Sequence, residues 1–374
     1  MDLELALGSA ASAVTPVAVR DDVAMERNIA AMAALAAGAS ITLRPHAKTH
    51  KSTAVAARQR TAGSHGLTVA TLQEAEVFAA AGTMDLFVAH PPVGSEKQRR
   101  LAILAERGVR IAVALDDINL ARAVPAGVEI LWEVDTGLHR IGTAPGAATV
   151  AAVRGLLKVI DRSRFRGLMT HGGHGYRSAG RDELRQAARE EAVGVAQTAE
   201  LLRADGIEVR EVSTGSTPTA AFASDQTGIS EMRPGTYVYG DAGQVTLGTQ
   251  RLEDCAVIVV ASVVSTPELG RAVLDCGSKS VSADRIVAAL EGFGIVLDHP
   301  RLRIERLSEE HAVVTARDGK ATGLAVGQRV AVLPAHVCTT VNLHPALLCF
   351  DSRRGRTYWE PVDARGWRPY DAGP

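Results

Sequence analysis

Disulfide frameworks, export leaders and membrane spans find no footing in this sequence. Its four cysteines, Cys255, Cys276, Cys338 and Cys349, fall at irregular spacings, which excludes a stapled secreted scaffold and suits a reducing compartment. Cys255, Cys276 and Cys349 read as buried thiols. Positive and negative side chains nearly cancel, with a net charge of -1 over 374 residues, so no broad field draws the protein to nucleic acid or to a lipid surface. No apolar stretch reaches membrane-spanning length, and the start Met1-Asp2-Leu3-Glu4 lacks the basic residues and apolar run of a leader. A cytoplasmic protein with a small-molecule partner is expected. The length suffices for one large domain and a smaller one, each with its own core.

What is present is alternation. Between about residues 40 and 240, short β-branched runs alternate with longer alanine- and glutamate-rich ones. Strands are expected at Ile41 to Pro45, Leu67 to Ala70, Leu86 to Ala89, Ile111 to Leu115, Ile130 to Val134, Gly167 to Thr170, Val209 to Ser213 and Thr236 to Tyr239. Helical patterns lie between them at Leu72 to Ala81, Ser95 to Arg107, Ala147 to Val159 and Asp182 to Arg203. Eight such repeats imply an α/β fold with a parallel sheet closed into a (β/α)8 TIM-type barrel. After Asp241 the pattern turns to valine-rich runs at Val257 to Val264, Val273 to Asp275, Ala312 to Ala316, Arg329 to Leu333 and Leu347 to Phe350, an all-β domain. The expected boundaries are 16–241 for the barrel and 242–374 for the β domain. Residues 1–15 either cross the barrel or join the β domain.

A barrel aims the residues that end its strands at one carboxyl-terminal face. Lys48, His90, Asp135, Arg140, His171, Ser213 and Tyr237 fall there. Most lysines are solvated, but Lys48 ends an apolar run within Arg44-Pro45-His46-Ala47-Lys48-Thr49-His50-Lys51, where an amine in a partly dry pocket can bond an aldehyde cofactor. Lys51 reads as an exposed helix residue. The turn Ser213-Thr214-Gly215-Ser216-Thr217 after the seventh expected strand sits where barrels hold phosphate, although such turns are also common loops. Arg140 can donate to a phenolate or carboxylate, or else pair with Asp135. His171 can pack against a planar ring, or be a satisfied core histidine. His336-Val337-Cys338 places an imidazole and a thiol at alternate positions. On a strand these face one side and suit zinc with open coordination positions; the plainer reading is a buried cysteine beside an incidental histidine.

These segments, with Asp135 to Gly142, His171 to Tyr176, Ser213 to Thr219, Arg233-Pro234-Gly235-Thr236-Tyr237, Leu274 to Lys279, Ser308-Glu309-Glu310-His311 and Pro334 to Cys338, resemble the D-threonine aldolase and D-serine dehydratase family, which shares its barrel with alanine racemase. The resemblance implies pyridoxal 5'-phosphate bonded to Lys48, with Arg140 at its phenolic oxygen and His171 behind its ring. It further implies that Tyr176 lines the pocket, that Gly215, Ser216 and Thr217 hold the phosphate, and that Tyr237 borders the site. His336 and Cys338 become ligands of a divalent metal, zinc before manganese or magnesium. A homodimer is the implied assembly. The partner of the pyridine nitrogen is not assigned.

On this resemblance the chain is a lyase of D-β-hydroxy-α-amino acids. The His-x-Cys pair leans toward dehydration of a D-serine-like substrate to a 2-oxo acid and ammonia. The alternative is retro-aldol cleavage to glycine and an aldehyde, for which His174 is the one base on offer near the sixth strand. A racemase needs a second base from the β domain, where Tyr358 and Tyr370 are the tyrosines available. A non-catalytic cofactor-binding protein is the remaining alternative, although such proteins usually lack the β domain.

Overall fold

The computed structural model describes residues 1–366. The chain folds into two units. One comprises residues 31–48 and 53–235, and the other comprises residues 1–30, 49–52 and 236–365. No described helix is long and apolar enough to cross a membrane. Tyr370 lies outside the described residues.

The first unit is built on an eight-stranded parallel sheet. Its strands are β1 (Thr42–Leu43), β2 (Leu67–Val69), β3 (Asp85–Val88), β4 (Arg110–Leu115), β5 (Glu129–Glu133), β6 (Phe165–Met169), β7 (Glu211–Thr214) and β8 (Glu231–Met232). β8 lies between β7 and β1. The ring closes where β1 runs on to meet β2: the Ala47 amide donates to the Thr68 carbonyl and the Thr68 amide to that of Pro45, both at 2.8 Å. Strands covered on both faces must be apolar throughout, and β4 is buried along Ile111-Ala112-Val113-Ala114-Leu115. Phe87, Ala112, Ala114, Leu131 and Met169 form one buried cluster, mixing large and small side chains as a barrel interior requires. Gly167, at φ +151°, has no room for a Cβ, which would stand 1.9 Å from the Glu211 carbonyl oxygen where β6 passes β7.

The helices follow their local signals. Thr71 caps Leu72–Ala80 by accepting from the Glu74 amide, and Glu74 accepts in return from the Ala70 amide, a reciprocal cap. Arg181–Ala204 buries Leu184, Ala188, Val195, Ala199 and Leu202 along one stripe. The eighth strand departs from expectation. Residues Thr236–Val238 form a 3-10 turn, and the strand is Glu231–Met232 instead. Its glutamate is buried because it neutralises arginines inside the barrel, a use of charge that hydrophobic patterning does not detect.

The second unit is antiparallel for the most part. The long strand Val257–Glu268 pairs with Val17–Asp21, Arg271–Leu274 and Arg329–Pro334. Val17–Asp21 in turn lies parallel to Ala346–Asp351. The N-terminal residues belong with these strands: Leu3–Ser9 is helical, and Arg329 donates to the Ala10 and Ala13 carbonyls. Lys51, expected on a helix, lies before the helix Thr53–Thr61 at φ +48°, and its carbonyl accepts from the Ala364 amide at 2.9 Å.

Within the barrel, Arg44 is fully buried. Its Nε donates to Glu231 at 2.6 Å and its Nη1 to Asp85 at 2.5 Å. Removing one member of such a cluster strands the others without a counter-charge. Arg44→Met is expected to lower unfolding free energy by about 3–5 kcal/mol, read as a shift of the urea midpoint. A wild-type midpoint would show that the cluster contributes no net stability.

Candidate active site

The carboxyl ends of all barrel strands except β4 contribute to one cavity of about 510 Å³. Lys48 follows β1, His90 follows β3, Arg140 and Ile141 follow β5, His171 follows β6, Gly215 follows β7 and Arg233 follows β8, and all line it. The expected residues Lys48, Arg140, His171 and Gly215 therefore line one cavity. Tyr176, Ser216 and Thr217, in the segments after β6 and β7, are buried and do not line it. Tyr237 belongs to the other unit, buried in the turn Thr236–Val238.

Each lining group is fixed by its neighbours. His171 Nδ1 hydrogen-bonds the Gly215 carbonyl. Burial, together with the positive charges of Lys48 and Arg140, holds the imidazole well below its usual pKa, so the ring is neutral and Nδ1 carries the proton that Gly215 accepts. Arg140 is half exposed, and the carboxylate it pairs with is Glu133, at 3.9 Å. Asp135, the partner considered from sequence, is used otherwise: it accepts from the Gly137 and His139 amides at 3.0 and 2.9 Å and shapes the loop. Ser213 does not face the cavity. Its hydroxyl donates to Glu231 at 2.7 Å and accepts from Arg233 Nη1. Gly215 gives its amide to Glu191 Oε1 at 2.9 Å, and Gly172 gives its own to the same oxygen at 2.8 Å. One carboxylate thus clamps the loops after β6 and β7. Ser216 caps the short helix Thr217–Ala220 by accepting from the Thr219 amide.

Three of these groups escape sequence reasoning. Arg233 is buried, lines the cavity, and lies over the Phe87 ring at 5.6 Å; its one signal is a charge opening the segment Arg233-Pro234-Gly235. Glu133 ends the apolar run Ile130-Leu131-Trp132, and Glu191 sits on the apolar stripe of its helix. A carboxylate in either setting signals a buried charge with a distant partner.

In the other unit, His336 and Cys338 do not alternate on a strand. The strand Arg329–Pro334 ends first, and His336 is the N-cap residue of the helix Val337–Leu343. Pro334 offers no amide to continue a ladder, and Asp241 accepts the Val337 amide at 3.1 Å, so the chain turns helical despite its β-branched residues. The two side chains still meet. Burial works against a charged His336, but Cys338 and Asp241 outweigh it and push the imidazole up to about 9. Cys338 Sγ lies 3.0 Å from the Thr49 hydroxyl and 3.6 Å from that of Thr236. His336 Nδ1 is buried without a hydrogen-bond partner. Among the described residues no group of three or more His, Cys, Asp or Glu side chains forms a metal cluster; beside the pair, Asp241 stands 4.0 Å from His336 Nδ1.

Burial raises the Glu133 carboxyl from its ordinary 4.5 to about 7, against the lowering pull of Arg140 and Arg233. A raised carboxyl pKa means that the folded protein keeps a proton the unfolded chain releases, so stability falls as pH rises from about 4.5 to about 7. The shift corresponds to roughly 3 kcal/mol. Glu133→Gln is expected to flatten this stretch of the stability curve, measured by urea unfolding at pH 5 and pH 8. An unchanged slope would assign it to other groups.

Comparison with known proteins agrees with this geometry. Residues 21–243 match the family model of the alanine racemase N-terminal domain, and residues 256–350 match that of a putative serine dehydratase domain. The chain is 35% identical to D-threo-3-hydroxyaspartate dehydratase of Delftia sp. strain HT23, over 94% of this chain and 98% of that one. It is 32% identical to D-threonine aldolase of Arthrobacter sp., over 94% and 93%. A cysteine-to-alanine mutant of D-threo-3-hydroxyaspartate dehydratase, solved in its metal-free form, superposes with a TM-score of 0.86 at 35% identity, covering 95% of this chain and 99% of that one. The chain belongs to the family of D-threonine aldolases and D-serine dehydratases, pyridoxal phosphate lyases on the alanine racemase fold.

Proposed function

We propose that the protein is a pyridoxal phosphate- and divalent metal-dependent lyase that dehydrates a D-β-hydroxy-α-amino acid to a 2-oxo acid and ammonia. The observation that carries this reading is the meeting of Lys48, Arg140 and neutral His171 on one cavity at the carboxyl end of the barrel. The barrel unit, residues 31–48 and 53–235 rather than 16–241, is assigned to cofactor binding, and the unit of residues 1–30, 49–52 and 236–365 to the metal ligands. A cytoplasmic homodimer is part of the same proposal.

The residues present fit both groups. The cavity offers an amine, a guanidinium for a phenolic oxygen and an uncharged ring for stacking; Ser216 and Thr217, on the turn after β7 but outside the cavity lining, are assigned to the phosphate as part of the same proposal. At the second site, the orphaned, buried Nδ1 of His336 and a thiol flanked by two hydroxyls form a nitrogen-sulfur donor set that favours zinc. When bound, pyridoxal phosphate supplies an electron sink for negative charge at the substrate α-carbon, and the cation supplies Lewis acidity toward the β-hydroxyl.

The chain's own residues do the rest. Lys48 would hold the cofactor through its Nζ, and the same amine, when not bonded to it, would take the substrate α-proton. Arg140, only weakly offset by Glu133 at 3.9 Å, would donate to the cofactor's phenolic oxygen. Burial, with the charges of Lys48 and Arg140, keeps His171 neutral, and its hydrogen bond to Gly215 would hold the imidazole in place behind the cofactor ring. Retro-aldol cleavage is the second reading, favoured by His174, whose ring nitrogens are both buried without a partner and which could serve as the base at a β-hydroxyl. Racemisation gains no such support, since the Tyr358 hydroxyl donates to Asp22 at 2.5 Å.

Lys48→Ala is expected to abolish the visible absorbance that the cofactor acquires on covalent attachment; a retained band would exclude this lysine. Cys338→Ala should keep that band, lose stoichiometric zinc by elemental analysis, and lose at least about 100-fold in kcat, the scale of a missing catalytic Lewis acid. Full turnover in the metal-depleted variant would refute a catalytic metal. Scoring 2-oxo acid against glycine from D-serine, D-threonine and D-3-hydroxyaspartate separates dehydration from cleavage.

A further inference from the structure

A second cavity, of about 210 Å³, opens at the amino-terminal ends of the barrel strands. Among its lining residues, Thr42 opens β1, Arg110 opens β4, Glu211 opens β7 and Glu231 opens β8, while Arg166 is the second residue of β6. No residue lines both this cavity and the one that holds Lys48. Its volume falls below the roughly 300–1,000 Å³ of sites for drug-sized ligands and suits an ion of a few atoms. Arg210, just before β7, lines it too. The side chains of Arg110 and Arg210 are 48% and 38% exposed, whereas that of Arg166 is 4% exposed.

The buried arginine is incompletely satisfied. Arg166 gives Nε and Nη2 to Glu211 at 2.7 and 2.6 Å and leaves Nη1 buried with no hydrogen-bond partner. Glu129 stands 3.6 Å from that nitrogen, but it already accepts from Arg110 at 3.1 Å and from Arg210 at 3.0 Å. One carboxylate is thus shared among three guanidiniums. Charge is short as well. Arg44, Arg110, Arg166 and Arg210 are paired with Asp85, Glu129, Glu211 and Glu231. Glu211 and Glu231 are hydrogen-bonded to each other, so one of them keeps a proton, and burial with the charge of Glu231 places it on Glu211. Four guanidiniums then meet three negative charges.

We infer that this amino-terminal cavity binds a small oxyanion, a phosphate or a short carboxylate, which accepts from Arg166 Nη1 and is held at the rim by Arg110 and Arg210. Guanidinium forks match such anions in geometry as well as charge. The anion supplies both the acceptor that Arg166 lacks and the missing negative charge. Because Glu231 lines this cavity and also holds Arg44, an occupied site stabilises the network that closes the barrel. This inference is independent of the reaction proposed above.

The test titrates holoenzyme, with pyridoxal phosphate bound, by calorimetry with inorganic phosphate, sulfate, acetate and malonate at one ionic strength set with potassium chloride. Saturable binding of phosphate or malonate is expected, and the preferred ion tells a tetrahedral anion from a carboxylate. Arg110→Gln and Arg210→Gln should each weaken that binding about 10-fold and Arg166→Gln about 100-fold, the range of a hydrogen bond to a charged group. The bound ion should also raise the thermal unfolding midpoint of the wild type, and raise it less in these variants. Lys97→Gln, which alters the other cavity, should leave the affinity unchanged. If Arg166→Gln does not fold, the two exposed rim variants decide. Absence of saturable binding for all four ions, binding that both rim variants leave intact, or binding that Lys97→Gln weakens instead would overturn the inference.

Discussion

Glu231 is buried at the centre of the barrel, and each of its oxygens holds something the cavity depends on. Oε2 takes Arg44 Nε at 2.6 Å, in the segment that leads to Lys48. Oε1 takes the Ser213 hydroxyl at 2.7 Å, and that hydroxyl in turn accepts from Arg233. Arg166 approaches the same carboxylate at 3.9 Å and pairs with Glu211 at 2.6 Å. A row of alternating charges thus runs through the barrel interior to the cavity floor. A charge buried without partners would cost several kcal/mol, so these side chains are obliged to keep their register. That obligation fixes where β1, β7 and β8 end, and with them Lys48, Gly215 and Arg233.

The same constraint explains why the cavity can carry so many cations and still fold. Its carboxylates are set back from the wall. Glu133 stands behind Arg140, Glu191 clamps the loops that hold His171 and Gly215, and Glu231 neutralises Arg233 through a serine. Their charge offsets the field of the wall while their atoms stay out of the cavity, which no aspartate or glutamate lines. Glu191 has a further effect. By accepting two amides from loops after adjacent strands, it makes the position of the His171 ring depend on the loop that carries Gly215, and the Gly215 carbonyl closes the circuit at His171 Nδ1. Ring orientation and loop conformation therefore change together.

Much of this was legible in the sequence because periodicity reports burial. Seven of the barrel strands fall within a few residues of their apolar runs, and the helices at Leu72, Ser95, Ala147 and Arg181 begin where capping and stripe patterns place them. Lys48, Arg140, His171 and Gly215 share a cavity because each follows a strand, and strand ends converge in a barrel. The failures have a common cause. Glu231 hides β8 because a polar residue in a two-residue strand breaks the apolar pattern, and its partner Arg44 lies 187 residues away. His336-Val337-Cys338 looks extended because valine and threonine favour strands, yet Asp241 and Pro334 decide the helix. Glu133, Glu191 and Arg233 owe their roles to partners that only the closed ring brings near.

Glutamates recur in the interior for a physical reason. Positive charge close to His171 helps burial to hold its imidazole neutral. Arginine supplies charge that cannot be titrated away, but each buried arginine requires a carboxylate, and each carboxylate placed in the cavity would compete with the anionic ligand. Setting the glutamates one layer back satisfies both demands. The consequence appears at Glu133, whose carboxyl titrates near neutrality because it is buried deeply enough to resist ionisation yet lies within reach of Arg140. Ionised, it tempers the Arg140 guanidinium that lines the cavity; protonated, it leaves that guanidinium's charge unopposed.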